Sequence, residues 1–163
     1  MVNFIACQQK FMKGKMLIEE KFSVKAPIQK VWDFLLDPKT VGSCIPGCEQ
    51  IDVIDENNFI TTVKVKVGPF SMRFKFKTAI KETNPPFFVR TVGEGDESDK
   101  KGHFKQETKI DFKTLSENET EISYRSEVMV VGKLATFGER TMRAKAKELR
   151  KEFANSVKKN LEQ

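Results

Sequence analysis

The chain has 163 residues, of which 39% are apolar and 10% aromatic, with 14 Phe against one Trp and one Tyr; this supports one globular domain with one core and excludes a disordered chain. The longest apolar runs, such as Val128 to Val131, fall far short of the roughly 30 Å of bilayer hydrocarbon, so no segment reads as a membrane span. Lys and Arg total 29 against 23 acidic residues, and the excess is local: residues 133–163 hold nine cations and four glutamates, while the residues before them hold 20 and 19. A basic surface so placed suits phosphate, an anionic membrane face or an acidic protein, and charge does not choose among the three. Cys7, Cys44 and Cys48 form no disulfide framework and no signal-peptide pattern opens the chain, which reads as a reduced, cytoplasmic setting.

Residues 1–15 lack a clear period. They read as a loosely held N-terminal extension, with an edge strand or short helix as the alternative, ahead of a single domain over residues 16–163. From Ile18 the apolar side chains alternate through Phe22 and Val24, predicting a half-buried strand with Glu20 on its inward face. Ala26-Pro27 ends that strand and starts a short helix, with Ile28, Val31, Trp32 and Leu35 at helical spacing. Asp37-Pro38 repeats the device for a second short helix, which Ile45-Pro46-Gly47 breaks. Strand signal then continues to Gly132. Ile51 and Val53 begin it, Phe59 to Val67 leads into the turn Gly68-Pro69, and Phe70, Met72, Phe74 and Phe76 alternate with polar residues. Asn84-Pro85-Pro86 punctuates, Phe87 to Val92 reads as a short strand, and Gly93 to Lys101 as a polar loop. In the next strand Phe104, Gln106, Thr108, Ile110 and Phe112 face one way and His103 the other; in the last, Ile122, Tyr124, Ser126, Val128 and Val130 share a face. Short connections imply an antiparallel meander. Beyond Gly132 the period turns helical, and Met142, Ala146, Leu149, Phe153, Val157 and Leu161 form one stripe. The outer face of this long helix is assigned Arg140, Arg143, Lys147, Arg150 and Lys151. An ordinary solvated face is the competing reading.

This order predicts an α+β helix-grip architecture: a curved seven-stranded antiparallel sheet wrapped around a long C-terminal helix, with two short helices after strand 1. A curved sheet and a straight helix do not fit closely along their whole length, and the space between them is the candidate ligand pocket. Polar residues on the inward faces, Glu20, Gln106, Thr108, Tyr124 and Ser126, need partners there because an unpaired buried amide or hydroxyl costs about 1–3 kcal/mol. A satisfied core network or a register slip explains them equally well. Phe70, Met72, Phe74, Phe76 and Phe104, with Met142, Leu149 and Phe153 from the helix, supply the apolar wall or, alternatively, a plain core.

Four stretches, Ala26-Pro27 with Val31-Trp32, the CIPGCE run at Cys44 to Glu49, VKVGP at Val65 to Pro69 and VVGKLATFG at Val130 to Gly138, resemble the carbon monoxide dehydrogenase G-subunit family of the START and birch-pollen-allergen-like superfamily. The resemblance implies an accessory protein of a molybdenum hydroxylase system, with an apolar cavity and a role at the enzyme or the membrane rather than in catalysis. It also implies a lipid or quinone as the hydrophobic ligand. Longer family members carry a C-terminal linker and apolar anchor, whereas this sequence stops soon after the helix.

Catalysis has poor material. His103 is the sole histidine, lies on a polar strand face and has no nucleophile in an evident motif. Cys44 and Cys48 are separated by Pro46-Gly47 and no further ligands follow, so neither metal nor cofactor is expected. Gly93-Glu94-Gly95 is acidic and unsuited to phosphate. Nucleic acid is excluded because the phenylalanines alternate inward rather than interleaving with the cations. Arg140, Arg143, Lys147, Arg150 and Lys151 are instead assigned to transient docking on enzyme or on the inner face of an anionic membrane, at about 1 kcal/mol per cation. A recruitment protein with a filled cavity and a cyclase or hydrolase on the same scaffold are the alternatives.

Overall fold

The computed structural model describes residues 15–99 and 102–163. The extension expected over residues 1–15 therefore lies, but for Lys15, outside the described residues. Strand β1 (Lys15–Val24) is followed by helix α1 (Ile28–Leu36) and helix α2 (Pro38–Gly42), then by β2 (Cys48–Asp55), β3 (Asn58–Val67), β4 (Phe70–Asn84), β5 (Phe88–Glu97), β6 (Gly102–Ser116) and β7 (Glu119–Gly132). A 3-10 turn (Lys133–Phe137) leads into the long helix α3 (Glu139–Leu161). The seven strands form one antiparallel sheet in the order β1-β7-β6-β5-β4-β3-β2, so the first strand closes against the last. The helix-grip architecture follows from this order.

Local chemistry accounts for the punctuation. The Pro27 carbonyl accepts the first helical hydrogen bond of α1, from the Val31 N–H at 3.1 Å. Asp37 caps α2: its carboxylate accepts from the Lys39 N–H at 3.2 Å and from the Thr40 hydroxyl, and these bonds hold its pKa below the ordinary value. Gly47 stands at a positive φ of 75°, and a Cβ there would collide with the Lys64 carbonyl oxygen. Only glycine lets the Ile45-Pro46-Gly47 loop lie this close to β3.

The polar loop expected from Gly93 to Lys101 is mostly strand. β5 continues to Glu97, with Gly93 opposite Thr78 on β4 and Gln106 on β6, and Gly95 opposite Phe76 and Phe104. A Cβ on Gly95 would collide with the Phe76 Cβ. Glycine here marks a close approach inside the sheet rather than a turn. The helical period expected beyond Gly132 is likewise divided, by Gly138 at φ 82°, into the 3-10 turn and α3.

The apolar interior has two parts. One cluster joins Val24, Ala26, Val31, Trp32, Cys44, Phe112, Ile122, Val157 and Leu161, and Trp32 meets Phe112 edge-on with ring centroids 5.5 Å apart. A second, smaller cluster centres on Val63, Val67, Met72 and Phe74 at the other end of β3 and β4. The backbone of α3 approaches β1 and α1 most closely, and its last two turns, with Val157 and Leu161 buried, close the first cluster. Its earlier turns span the gap between the clusters. No described helix is long and apolar enough to cross a membrane.

Candidate functional site

The gap is a partly open cavity of about 460 Å³ between the concave sheet face and the first four turns of α3, within the range of small-molecule sites. Strand periodicity builds its walls. On β3 the inward positions are Phe59, Thr61, Val63, Val65 and Val67; on β6 they are Phe104, Gln106, Thr108 and Ile110; on β7, Ile122, Tyr124, Ser126, Val128 and Val130. Phe74, Phe76 and Phe104 pack edge to face, with centroids 5.6 Å and 5.1 Å apart for the two pairs that share Phe104. Met142, Lys145, Ala146, Leu149, Arg150 and Phe153 form the roof.

Ten of the thirteen residues assigned to the pocket from sequence line this cavity: Phe74, Phe76, Phe104, Gln106, Thr108, Tyr124, Ser126, Met142, Leu149 and Phe153. Glu20, Phe70 and Met72 do not. Phe70, at the hairpin end, is 41% exposed and leans on Phe137, while Met72 is buried in the second cluster. Glu20 shares the inward parity of the lining residues Ile18 and Phe22 on β1 without itself lining the cavity, and its Oε2 is 3.8 Å from Arg150 Nε.

Arg150 corrects the docking assignment. It is not on the outer face with the exposed Arg140, Arg143, Lys147 and Lys151 but turned inward, its side chain 20% exposed and its Nη1 donating to the Glu19 carbonyl oxygen. Helix geometry explains this, because Arg150 comes four residues after Ala146 and three before Phe153 and so shares their stripe. The same spacing puts Lys145 on the roof, where it pairs with Glu148 at 3.3 Å. Thr61, Thr78 and Thr91 also line the cavity and were missed. Their alternation with outward Lys64, Lys77 and Arg90 was the available signal.

The polar groups inside are few and unevenly satisfied. Thr108 and Ser126, register partners on β6 and β7, share a hydrogen bond of 2.7 Å. Thr61 is fully buried and its hydroxyl makes no hydrogen bond among the described residues; Arg150 Nε makes none either, and stands in an ion pair of 3.8 Å with Glu20. Burial pushes the Tyr124 phenol up to about 12, with Arg150 opposing and Glu20 adding to the shift. It is therefore a neutral hydroxyl at physiological pH. No carboxylate, histidine or thiol is among the described residues that line the cavity.

The other candidates for chemistry lie elsewhere. His103 is on the outer sheet face, its ring nitrogens 2.7 Å from an Asp96 oxygen and 3.1 Å from a Glu94 oxygen. Cys44 is buried beside Asn160 and Cys48 half-buried, and desolvation raises both thiol pKa values, which disfavours the thiolate. No group of metal-ligating side chains occurs among the described residues.

The model of the CoxG family, the G subunit of carbon monoxide dehydrogenase, matches residues 21–162. The chain belongs to that family. A comparison with curated proteins finds no match. Among solved structures, a conserved protein from Geobacillus kaustophilus is similar with a TM-score of 0.82 at 22% identity, over 90% of this chain and 95% of that one. A START superfamily protein from Mycobacterium smegmatis gives 0.69 at 17% identity, covering 90% and 97% of the two chains. The ZhuI aromatase/cyclase from a Streptomyces species gives 0.68 at 14%, covering 91% and 94%. These likenesses establish a START-like fold.

Proposed function

We propose that this CoxG family member is a non-catalytic accessory protein that holds a hydrophobic small molecule, a lipid or a quinone, between sheet and helix. In this reading it docks transiently on a molybdenum hydroxylase of the carbon monoxide dehydrogenase type or on an anionic membrane face inside the cell. The observation that carries the reading is the apolar cavity of about 460 Å³ under α3. Burying about 400 Å² of apolar ligand surface there gives about 10 kcal/mol gross, and association costs of about 4 kcal/mol or more leave micromolar affinity. The exposed cations Arg140, Arg143, Lys147 and Lys151 supply the docking face beside that roof. The open space beside the mutually packed rings of Phe74, Phe76 and Phe104 supports this reading over that of a cavity filled by its own side chains.

The cyclase reading draws on the shared fold with an aromatase/cyclase. It is disfavoured by the wall itself, among whose described residues there is no carboxylate, histidine or thiol. Organic-solvent extraction of the purified protein followed by mass spectrometry tests the binding reading, together with titration by the apolar fluorophore N-phenylnaphthylamine. A co-purifying apolar molecule or saturable micromolar uptake is expected. A bare extract with no uptake of fluorophore or added quinone overturns it.

A further inference from the structure

Residues 57–81, which span β3 and most of β4, hold six cations and no acidic residue. Strand alternation decides where the side chains go. With Val65, Val67, Phe74 and Phe76 turned to the cavity, Lys64, Lys66, Arg73 and Lys75 stand exposed on the outer face of the hairpin. Lys64 and Arg73 are register partners, and like charges directly opposite one another destabilise a sheet. Glu49 compensates Arg73 through hydrogen bonds of 2.7 Å and 3.0 Å, whereas Lys66 and Lys75 form no ion pair among the described residues.

The apex of this basic hairpin is apolar. Gly68, Pro69 and Phe70 are exposed, Phe70 leans on Phe137 of the 3-10 turn with ring centroids 5.5 Å apart, and Val131, just ahead of that turn, is 44% exposed. Val67, the register partner of Phe70, and Val130, the neighbour of Val131, line the cavity, so the hollow reaches the same edge of the molecule. The opposite end differs. Phe87 is more exposed there, at 55%, but the turns around it are acidic, with Asp55 and Glu56 after β2 and Glu117 and Glu119 between β6 and β7.

Layering along the hairpin selects the partner. At about 3.3 Å per residue, Lys64, Lys66 and Arg73 lie within about 10 Å behind the apex, and the exposed Arg140 opens α3 next to Phe137. Apolar side chains foremost with cations one layer back match the depth profile of an anionic bilayer, where rings enter the acyl boundary and long cationic stems reach the phosphates. An acidic protein surface answers the cations alone. From this layering we infer that the tip of the β3–β4 hairpin, with Phe70 foremost and Lys64, Lys66 and Arg73 behind it, is the surface that contacts an anionic lipid bilayer. The inference rests on the membrane-docking part of the proposed function and gives it a place in the fold.

Co-sedimentation with vesicles of phosphatidylcholine alone, and of equal parts phosphatidylcholine and phosphatidylglycerol, tests it, with N-phenylnaphthylamine uptake measured on every variant. The protein should sediment with the anionic vesicles and be released by added salt. Lys66→Glu should weaken this binding by about tenfold, as loss and reversal of one charge at an anionic surface requires. Phe70→Ser should weaken it by a similar factor of about ten. Lys113→Glu makes the same change in net charge at the acidic end and Phe87→Ser removes the more exposed ring, so both should bind within about twofold of the parent protein. Equal losses in Lys66→Glu and Lys113→Glu overturn the inference, because net charge and not the hairpin would then govern binding. Equal losses in Phe70→Ser and Phe87→Ser do the same. Fluorophore uptake without any binding to anionic vesicles also overturns it, leaving the basic face to an acidic protein and the pocket reading intact. Hairpin-dependent vesicle binding without fluorophore uptake upholds the inference while the pocket reading falls.

Discussion

The two ends of the interior are built from the same kinds of residue and end in opposite states. At the end closed by Val157 and Leu161, Trp32, Phe112, Ile122 and Val24 fill the space. The one buried hydroxyl they enclose, on Thr120, donates to the Ala26 carbonyl at 2.8 Å. Under the first turns of α3 the space stays open, and Thr61 and Arg150 each keep a buried polar atom without a hydrogen bond among the described residues. The difference comes from geometry more than from composition. α1 packs on the sheet at the filled end and supplies Val31 and Trp32, whereas at the other end the roof helix, with the end of α1, α2 and the loop after it, borders the space without filling it. The chain's single Trp lies in the filled part and its single Tyr in the hollow one, so each region carries its own optical reporter.

The largest expected effect separates the two ends by stability. Trp32→Ala removes a ring that is 8% exposed and contacts Phe112 edge-on, and should cost about 3–5 kcal/mol in urea unfolding followed by circular dichroism. Leu149→Ala, from the half-buried roof, should cost about 1–2 kcal/mol because the side chain already borders empty space. Equal losses would mean that the roof packs as tightly as the core and that the contrast is wrong.

A pair of threonines gives the next effect, with opposite signs. Thr120→Val leaves the Ala26 carbonyl bare in a fully buried position and should destabilise by about 1–3 kcal/mol. Thr61→Val removes a buried hydroxyl that has no partner and should stabilise the ligand-free protein by about 1 kcal/mol. Thermal unfolding of both variants checks this. Destabilisation by Thr61→Val in extracted protein would show that the hydroxyl is in fact bonded.

Much of this contrast could be read in the sequence, and the failures have physical causes. The period-two runs on β3, β4, β6 and β7 and the change to helical spacing after Gly132 are strong local signals, so the sheet, the roof and ten of the thirteen pocket residues were legible. Residue type alone points Arg150 outward, but its position relative to Ala146 and Phe153 sets it inward whatever its charge. Gly93 and Gly95 were read as loop-formers, although glycine equally marks a strand where a neighbour such as Phe76 presses in. Phe70 sits at the right parity but at the hairpin end, next to the 3-10 turn, and parity does not tell where a strand outruns its cover. Where along α3 the packing ceases depends on which turns α1 supports, a tertiary contact with no local signal.

The smallest effect at neutral pH belongs to Tyr124, and it tests the hollow without altering it. The phenol has a native pKa of about 12 against 10.0 in the unfolded chain. Below pH 10 it is protonated in both states and contributes nothing to pH dependence. As the pH rises through 10 toward 12 the unfolded chain loses its proton first, so this residue lowers stability progressively across that window. Cys44 and Cys48, whose pKa values are also raised by burial, act in the same direction above about pH 9. Stability alone therefore mixes three groups, whereas phenolate absorbance reports the sole tyrosine. The expected result is a phenolate transition near 12 while Trp32 fluorescence remains native up to the onset of unfolding. Ionisation near 10 with an unchanged Trp32 signal would mean that solvent bathes the phenol, and the lower part of the cavity would then be an open cleft rather than an apolar chamber.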